Sequence, residues 1–173
     1  ARLDMHEGQR AQAALKLKAT LYFAQTMDDK AIEARSHLLL GIVEHQQARD
    51  GLTPPEERPQ HFGDARYHYQ KAIGTAREIG CDALVFEGMD LAGQLERDLG
   101  KDYLPKAQEY AGLLTSLASE KAYRQFAARG HLLAGTIFFA SADLESARAE
   151  YGQALRLAIT ARDARCQSYI RFR

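Results

Sequence analysis

Tryptophan is absent from the 173 residues, cysteine occurs twice, and proline four times, with three of the prolines inside 54–59. So little proline leaves most of the chain free to be helical. β-branched runs are missing as well, while Ala, Leu, Gln, Arg and Glu dominate, all good helix formers. No apolar run approaches the roughly 18 residues of a membrane-crossing helix, and with the first twenty residues polar and helix-like no leader peptide is expected there. Neither sign of charge is in excess, because 23 Lys and Arg balance 23 Asp and Glu. Nucleic acid as main ligand wants a basic face. The C-terminal arginines (Arg156, Arg162, Arg165, Arg171, Arg173) are too dispersed to make one, so no nucleic-acid partner is expected. Cys81 and Cys166 stand 85 residues apart, too far to be bridged in a stacked helical array. Two free thiols and a reducing, cytoplasmic setting are expected. The chain starts without Met and closes inside a helical pattern; it is expected to be part of a longer protein.

What is present is helical periodicity between short turns. Ala13, Leu17, Leu21 and Ala24 form a stripe along 4–26, and Asp28-Asp29 then cap a helix that runs to about Arg49 with Gly41 inside. Residues 51–60, GLTPPEERPQ, are expected to be a loop. Further helices are predicted over 61–79, 83–98 (with Gly93 inside), from Pro105 to about Ser119, over 121–140 (with Gly135 inside) and over 143–161, and another begins at 164. That makes seven helices and a stub, joined by short turns and therefore antiparallel to their neighbours.

The helices repeat. Ala65, Tyr69 and Ala72 return 82 residues later as Ala147, Tyr151 and Ala154, and Tyr110 falls midway at 41. The 4 and 3 spacing puts each trio on one helical face. Gly93 and Gly135 are 42 apart, and Gly41 and Gly93 are 52 apart, ten more because 51–60 is inserted. Each unit is therefore a helix with an internal Gly, a turn, and a helix with the small-Tyr-small face. A mid-helix Gly costs about 1 kcal/mol against Ala, so three at matching register imply close helix approach, with the tyrosines filling the space between successive units.

These residues resemble the tetratricopeptide repeat, whose first helix carries a Leu-Gly and a later aromatic and whose second carries Ala, aromatic, Ala. Here Leu40, Ala92 and Ala134 precede the three glycines, and residues 1–26 fit a preceding second helix through Ala13, Leu17 and Thr20. The trio is only partial at Tyr110, where Lys106 and Leu113 stand in for alanines. The unit departs from the family in its period of about 41 against 34. It also lacks a closing Pro, and has Glu44 and Glu96 where the later aromatic stands, which Phe138 keeps. The long unit is similar to the repeat arrays of bacterial signal-transduction ATPases and large transcriptional activators. The resemblance implies an all-α, right-handed α-solenoid of stacked antiparallel helix pairs. Its units are 1–27 (partial), 29–80 with the insertion 51–60, 82–119, 121–161 and 163–173 (partial).

In that family the first helices line the concave groove. The corresponding positions are Arg35, Leu38, Ile42 and His45; Glu87, Asp90, Gln94 and Arg97; and Ala128, Leu132, Thr136 and Phe139. The resemblance implies a groove acidic in its middle and apolar at its ends, suited to an amphipathic helix or basic peptide. The Lys/Asn carboxylate clamp of some members is missing, since Leu38/Ile42, Asp90/Gln94 and Leu132/Thr136 stand there. Six histidines are present, but neither a recurring Glu-x-x-His nor His-Glu-x-x-His occurs. No phosphate loop, nucleophile elbow or triad spacing is found. The expectation is a binding module with no enzymatic activity, no cofactor and no metal, acting as sensor or scaffold of a larger bacterial regulatory protein on a protein or peptide partner. The alternatives are self-association through the ends of the array and sensing of a small-molecule ligand.

Overall fold

In a computed structural model the described residues are 2–51, 53–163, 166, 167 and 170, the side chains of 2–9 excepted. Seven α-helices and no strand occur among them. They are α1 (Arg2–Thr26), α2 (Lys30–Arg49), α3 (Arg58–Glu78), α4 (Asp82–Asp98), α5 (Leu104–Glu120), α6 (Arg124–Ala140) and α7 (Leu144–Thr160), with a 3₁₀ turn Lys101–Tyr103 before α5. Among the described residues no helix is long and apolar enough to cross a membrane. Most of the helix predicted from 164 lies outside the described residues; 166, 167 and 170 are helical.

The predicted loop 51–60 is shorter than expected. α3 already starts at Arg58, with Pro59 in its first turn, where a missing N–H leaves no bond unmade. α6 starts at Arg124 and not at 121, and α5 runs through Glu120, one residue past the expected end at Ser119.

Five of the turns are the same object. At Asp28, Gly80, Ala122, Ala142 and Arg162 the backbone enters the left-handed region, with φ between 53° and 65°. In each turn the next residue's N–H closes back on the helix just ended: Asp29 to Ala24, Cys81 to Ala76, Tyr123 to Ala118, Asp143 to Phe138 and Asp163 to Ala158. This is the Schellman closure. Gly80 has the residue type that suits it best and Asp28 one that accepts it, whereas Ala122, Ala142 and Arg162 tolerate a strained φ.

Aligning the second helices on the carbonyls that close these turns corrects the repeat. Ala65, Ala107 and Ala147 fall eleven residues before Ala76, Ala118 and Ala158, and all are buried. Tyr69 and Tyr151 fall seven before, where α5 has Ala111. Tyr110 is one position off and corresponds to His68 and Glu150. The even 41-residue tyrosine spacing hides a true step of 42 and then 40.

The chain divides into two compact units, Ala1–Gly88 and Met89–Arg173, the division falling inside α4. In the first, α1 lies along α2 and α2 pairs with α3. A Cβ on Gly41 would lie 2.6 Å from the Tyr69 ring, so the ring rests directly on the bare backbone of α2. In the second, α5 pairs with α6 and α6 with α7. A Cβ on Gly135 would lie 2.7 Å from the Tyr151 ring. The two tyrosines therefore make the same contact, each against the glycine of its own hairpin and not, as expected, in a gap between units. A Cβ on Gly93 would instead meet the side chain of Leu133 and, at 3.1 Å, the Cβ of Tyr110. One core cluster of the second unit comprises Ala107, Ala111, Leu133, Ala134 and Ile137 between α5 and α6. A second cluster sets Ala128, Ala154 and Ala158 against Cys166 and Ile170.

Candidate functional site: a polar face on α4 and α6

Gly93 brings α4 against Leu133 of α6, so two first helices of successive hairpins run close together in the second unit. Their facing polar residues meet. Arg97 Nε and Nη2 donate to Asp98 Oδ1 at 2.9 and 2.6 Å, and Nη1 reaches Thr136 Oγ1 at 3.4 Å. Thr136 Oγ1 itself donates to the Leu133 carbonyl at 2.7 Å. Gln94 Nε2 donates to Asp90 Oδ1 at 2.9 Å. Arg129 of α6 stands 3.9 Å from Asp90 Oδ2 and lies 5.3 Å over the Phe126 ring.

Of the expected groove residues, Asp90, Gln94, Arg97 and Thr136 are thus gathered on one face. Asp90 and Thr136 are buried, while Gln94, Arg97 and Leu132 are half-buried. Phe139 is exposed, at 49 %. In the first unit Arg35 is exposed, and Ile42 and Glu87 are half-buried. Leu38 and His45 are enclosed. Leu38 packs toward Gly88; His45 sits between the rings of Phe62 and Tyr69, its Nδ1 3.4 Å from the Tyr69 hydroxyl. Both are packing groups of the hairpin and offer no open surface.

The expected acidic middle is absent where Asp90 lies. Arg129 and Gln94 cover its carboxylate, and Asp98 faces Arg97, which leaves a charge-compensated face. Arg129 was legible in principle: it stands six residues before Gly135, as Arg35 and Glu87 do before Gly41 and Gly93. Counting from the glycine would have chosen it over its neighbour Ala128.

Two substitutions of an aromatic by Glu are handled alike. Glu44 receives His61 at 2.7 Å, and Glu96, only 1 % exposed, receives Lys106 at 3.4 Å. A carboxylate this enclosed is tolerable only with a cation or donor beside it. His131 Nδ1 lies 2.7 Å from Glu150 Oε2, and His37 Nδ1 lies 2.9 Å from His68 Nδ1. These two contacts occupy one repeat position: each first histidine is four before the glycine, and each partner is one before the tyrosine. Burial pushes the His37 imidazole down to about 4, and His68 and Lys71 add to this against an opposing Glu33. Burial lowers His68 as well. Among the described residues no three His, Cys, Asp or Glu side chains converge as metal ligands.

Cys81 and Cys166 are both free. Burial, with Asp163 beside it, raises the Cys166 thiol to about 11, so it stays protonated at neutral pH. A hollow of about 260 Å³ in the first unit is lined by Arg10, Gln47, Asp50, Glu57 and His61, among others. It is slightly below the usual range for small-molecule sites, and its arginine is already paired with Asp50.

No protein-family model matches the chain, and no curated protein matches it significantly.

Proposed function

We propose that the chain is a non-enzymatic, tetratricopeptide-like segment, an α-solenoid that holds a peptide or protein partner across α4 and α6. On this reading it serves as sensor or scaffold in a larger bacterial regulatory protein. The observation that carries the reading is the side-by-side placement of two first helices, with Asp90, Gln94, Arg97, Arg129 and Thr136 on one face. The shared glycine-tyrosine contact of the hairpins α2/α3 and α6/α7 supports the repeat. The face mixes two arginines, two carboxylates, an amide and a hydroxyl. That inventory suits a peptide backbone and polar side chains better than a purely apolar ligand.

The test begins with peptides selected from a displayed library against the whole chain. Gln94→Arg and Arg97→Ala are then measured for binding, with circular dichroism to verify the fold. The expected result is a loss of about tenfold or more in each variant. Unchanged affinity in both removes the face from the account.

A further inference from the structure

The α1 helix is apolar on two opposite sides. One side, with Leu17, Leu21 and buried Ala24, lies along α2. The other carries Leu15, Tyr22 and Phe23, exposed to 71, 64 and 66 %. At 3.6 residues per turn Leu15 and Tyr22 fall on one line, with Phe23 about 100° further round. The Tyr22 and Phe23 rings already meet edge to face at 5.9 Å. Lys18 borders this stripe on one side and Lys16 on the other. From Gly8 to Met27 the sequence has no Asp or Glu. Arg10 is tied to Asp50, whereas neither Lys16 nor Lys18 has an ion-pair partner among the described residues.

An exposed apolar stripe rimmed by charge marks an interaction surface. The rim here is of one sign, which selects the occupant. We propose that this face of α1 docks an amphipathic helix of another polypeptide whose apolar stripe is flanked by Asp or Glu. The mode is a helix laid along a helix, with the lysines choosing partner and orientation as flanking charges do in coiled coils. A second copy of this chain fits poorly, because facing α1 helices would set lysine against lysine with no carboxylate between. An anionic lipid surface fits poorly too, since two lysines contribute about 1 kcal/mol each there, short of the cation-rich polar face that a surface helix carries.

The proposal is independent of the α4/α6 face and is tested separately. A displayed library of amphipathic helices with randomised flanks is selected on the whole chain, and the selected peptides are measured by fluorescence anisotropy. Enrichment of Asp and Glu in the flanks is expected. Binding should be lost on Phe23→Ser but kept on Gln94→Arg, and the double change Lys16→Glu with Lys18→Glu should weaken acidic peptides by about tenfold or more. Neutral or basic flanks, or binding indifferent to Phe23→Ser, would overturn it. So would a concentration-dependent dimer in sedimentation that Phe23→Ser abolishes, or binding of phosphatidylserine vesicles that depends on Phe23 when no peptide is enriched.

Discussion

At the scale of single residues, glycines do two different jobs that composition cannot separate. Gly130 is pinned: a Cβ there would lie 2.9 Å from the Thr115 backbone nitrogen and 3.1 Å from the Ala111 carbonyl. Backbone cannot move aside as a side chain can, so Gly130→Ala should destabilise by about 1–3 kcal/mol. Gly112, on the open side of α5, has nothing within 4 Å, and Gly112→Ala should stabilise by about 1 kcal/mol. Urea unfolding of the two variants checks both signs. The histidines give a pH effect whose direction is fixed. The His37 imidazole lies below its ordinary value of 6.5 in the folded chain, so the unfolded chain takes up the proton first. Stability should therefore fall as pH drops from about 6.5 toward about 4. Glu33, His68 and Lys71 act on that ring, so the comparison to make is unfolding of wild type against His37→Gln at pH 7 and pH 4.5. The variant should lose less stability over that interval. In the sequence the histidines stood out only by matching no metal motif. Their pairing needed the partner helix, because His68 and Glu150 carry no sign of which face they occupy.

At the scale of elements, existence and type were readable because each helix carries a long apolar period and each gap is short. The boundaries that moved have local reasons. Pro59 looked like a loop residue but suits a first helical turn, which let α3 begin at Arg58. The tyrosine register failed because one second helix, α5, replaces the aromatic by Ala111 and sets Tyr110 one residue earlier. Counting tyrosines could not reveal this; the turn carbonyls could. Those turns carry a prediction of their own. Ala122 and Ala142 hold φ of 62° and 63°, a conformation that costs an L-residue with a Cβ about 1–2 kcal/mol. Ala122→Gly and Ala142→Gly should each raise the melting temperature, with no change in the helical circular dichroism spectrum. A fall in melting temperature for both would mean that the turns are not left-handed.

At the scale of the molecule, the all-helical class and the hairpin plan were legible, and the polar face was legible in part. Glycine spacing placed Asp90, Gln94, Arg97 and Thr136 together, and the structure gathers them. The same counting put Leu38 and His45 on that surface, whereas both are buried against their own hairpin. A helical position says which way a side chain points, not whether a neighbouring helix or loop closes over it. Charge balance was misjudged for a similar reason: the acidic pair Glu87 and Asp90 stood out in the sequence, while Arg129, which offsets Asp90, comes from another helix. The central claim is that α4 and α6 together present a peptide-binding face. Amide NMR titration with a peptide selected against the chain, and insensitive to Phe23→Ser, addresses it most directly. The account predicts that the largest shifts cluster at Gln94, Arg97, Arg129 and Thr136. Shifts confined to other helices, with these four unmoved at saturation, would contradict it.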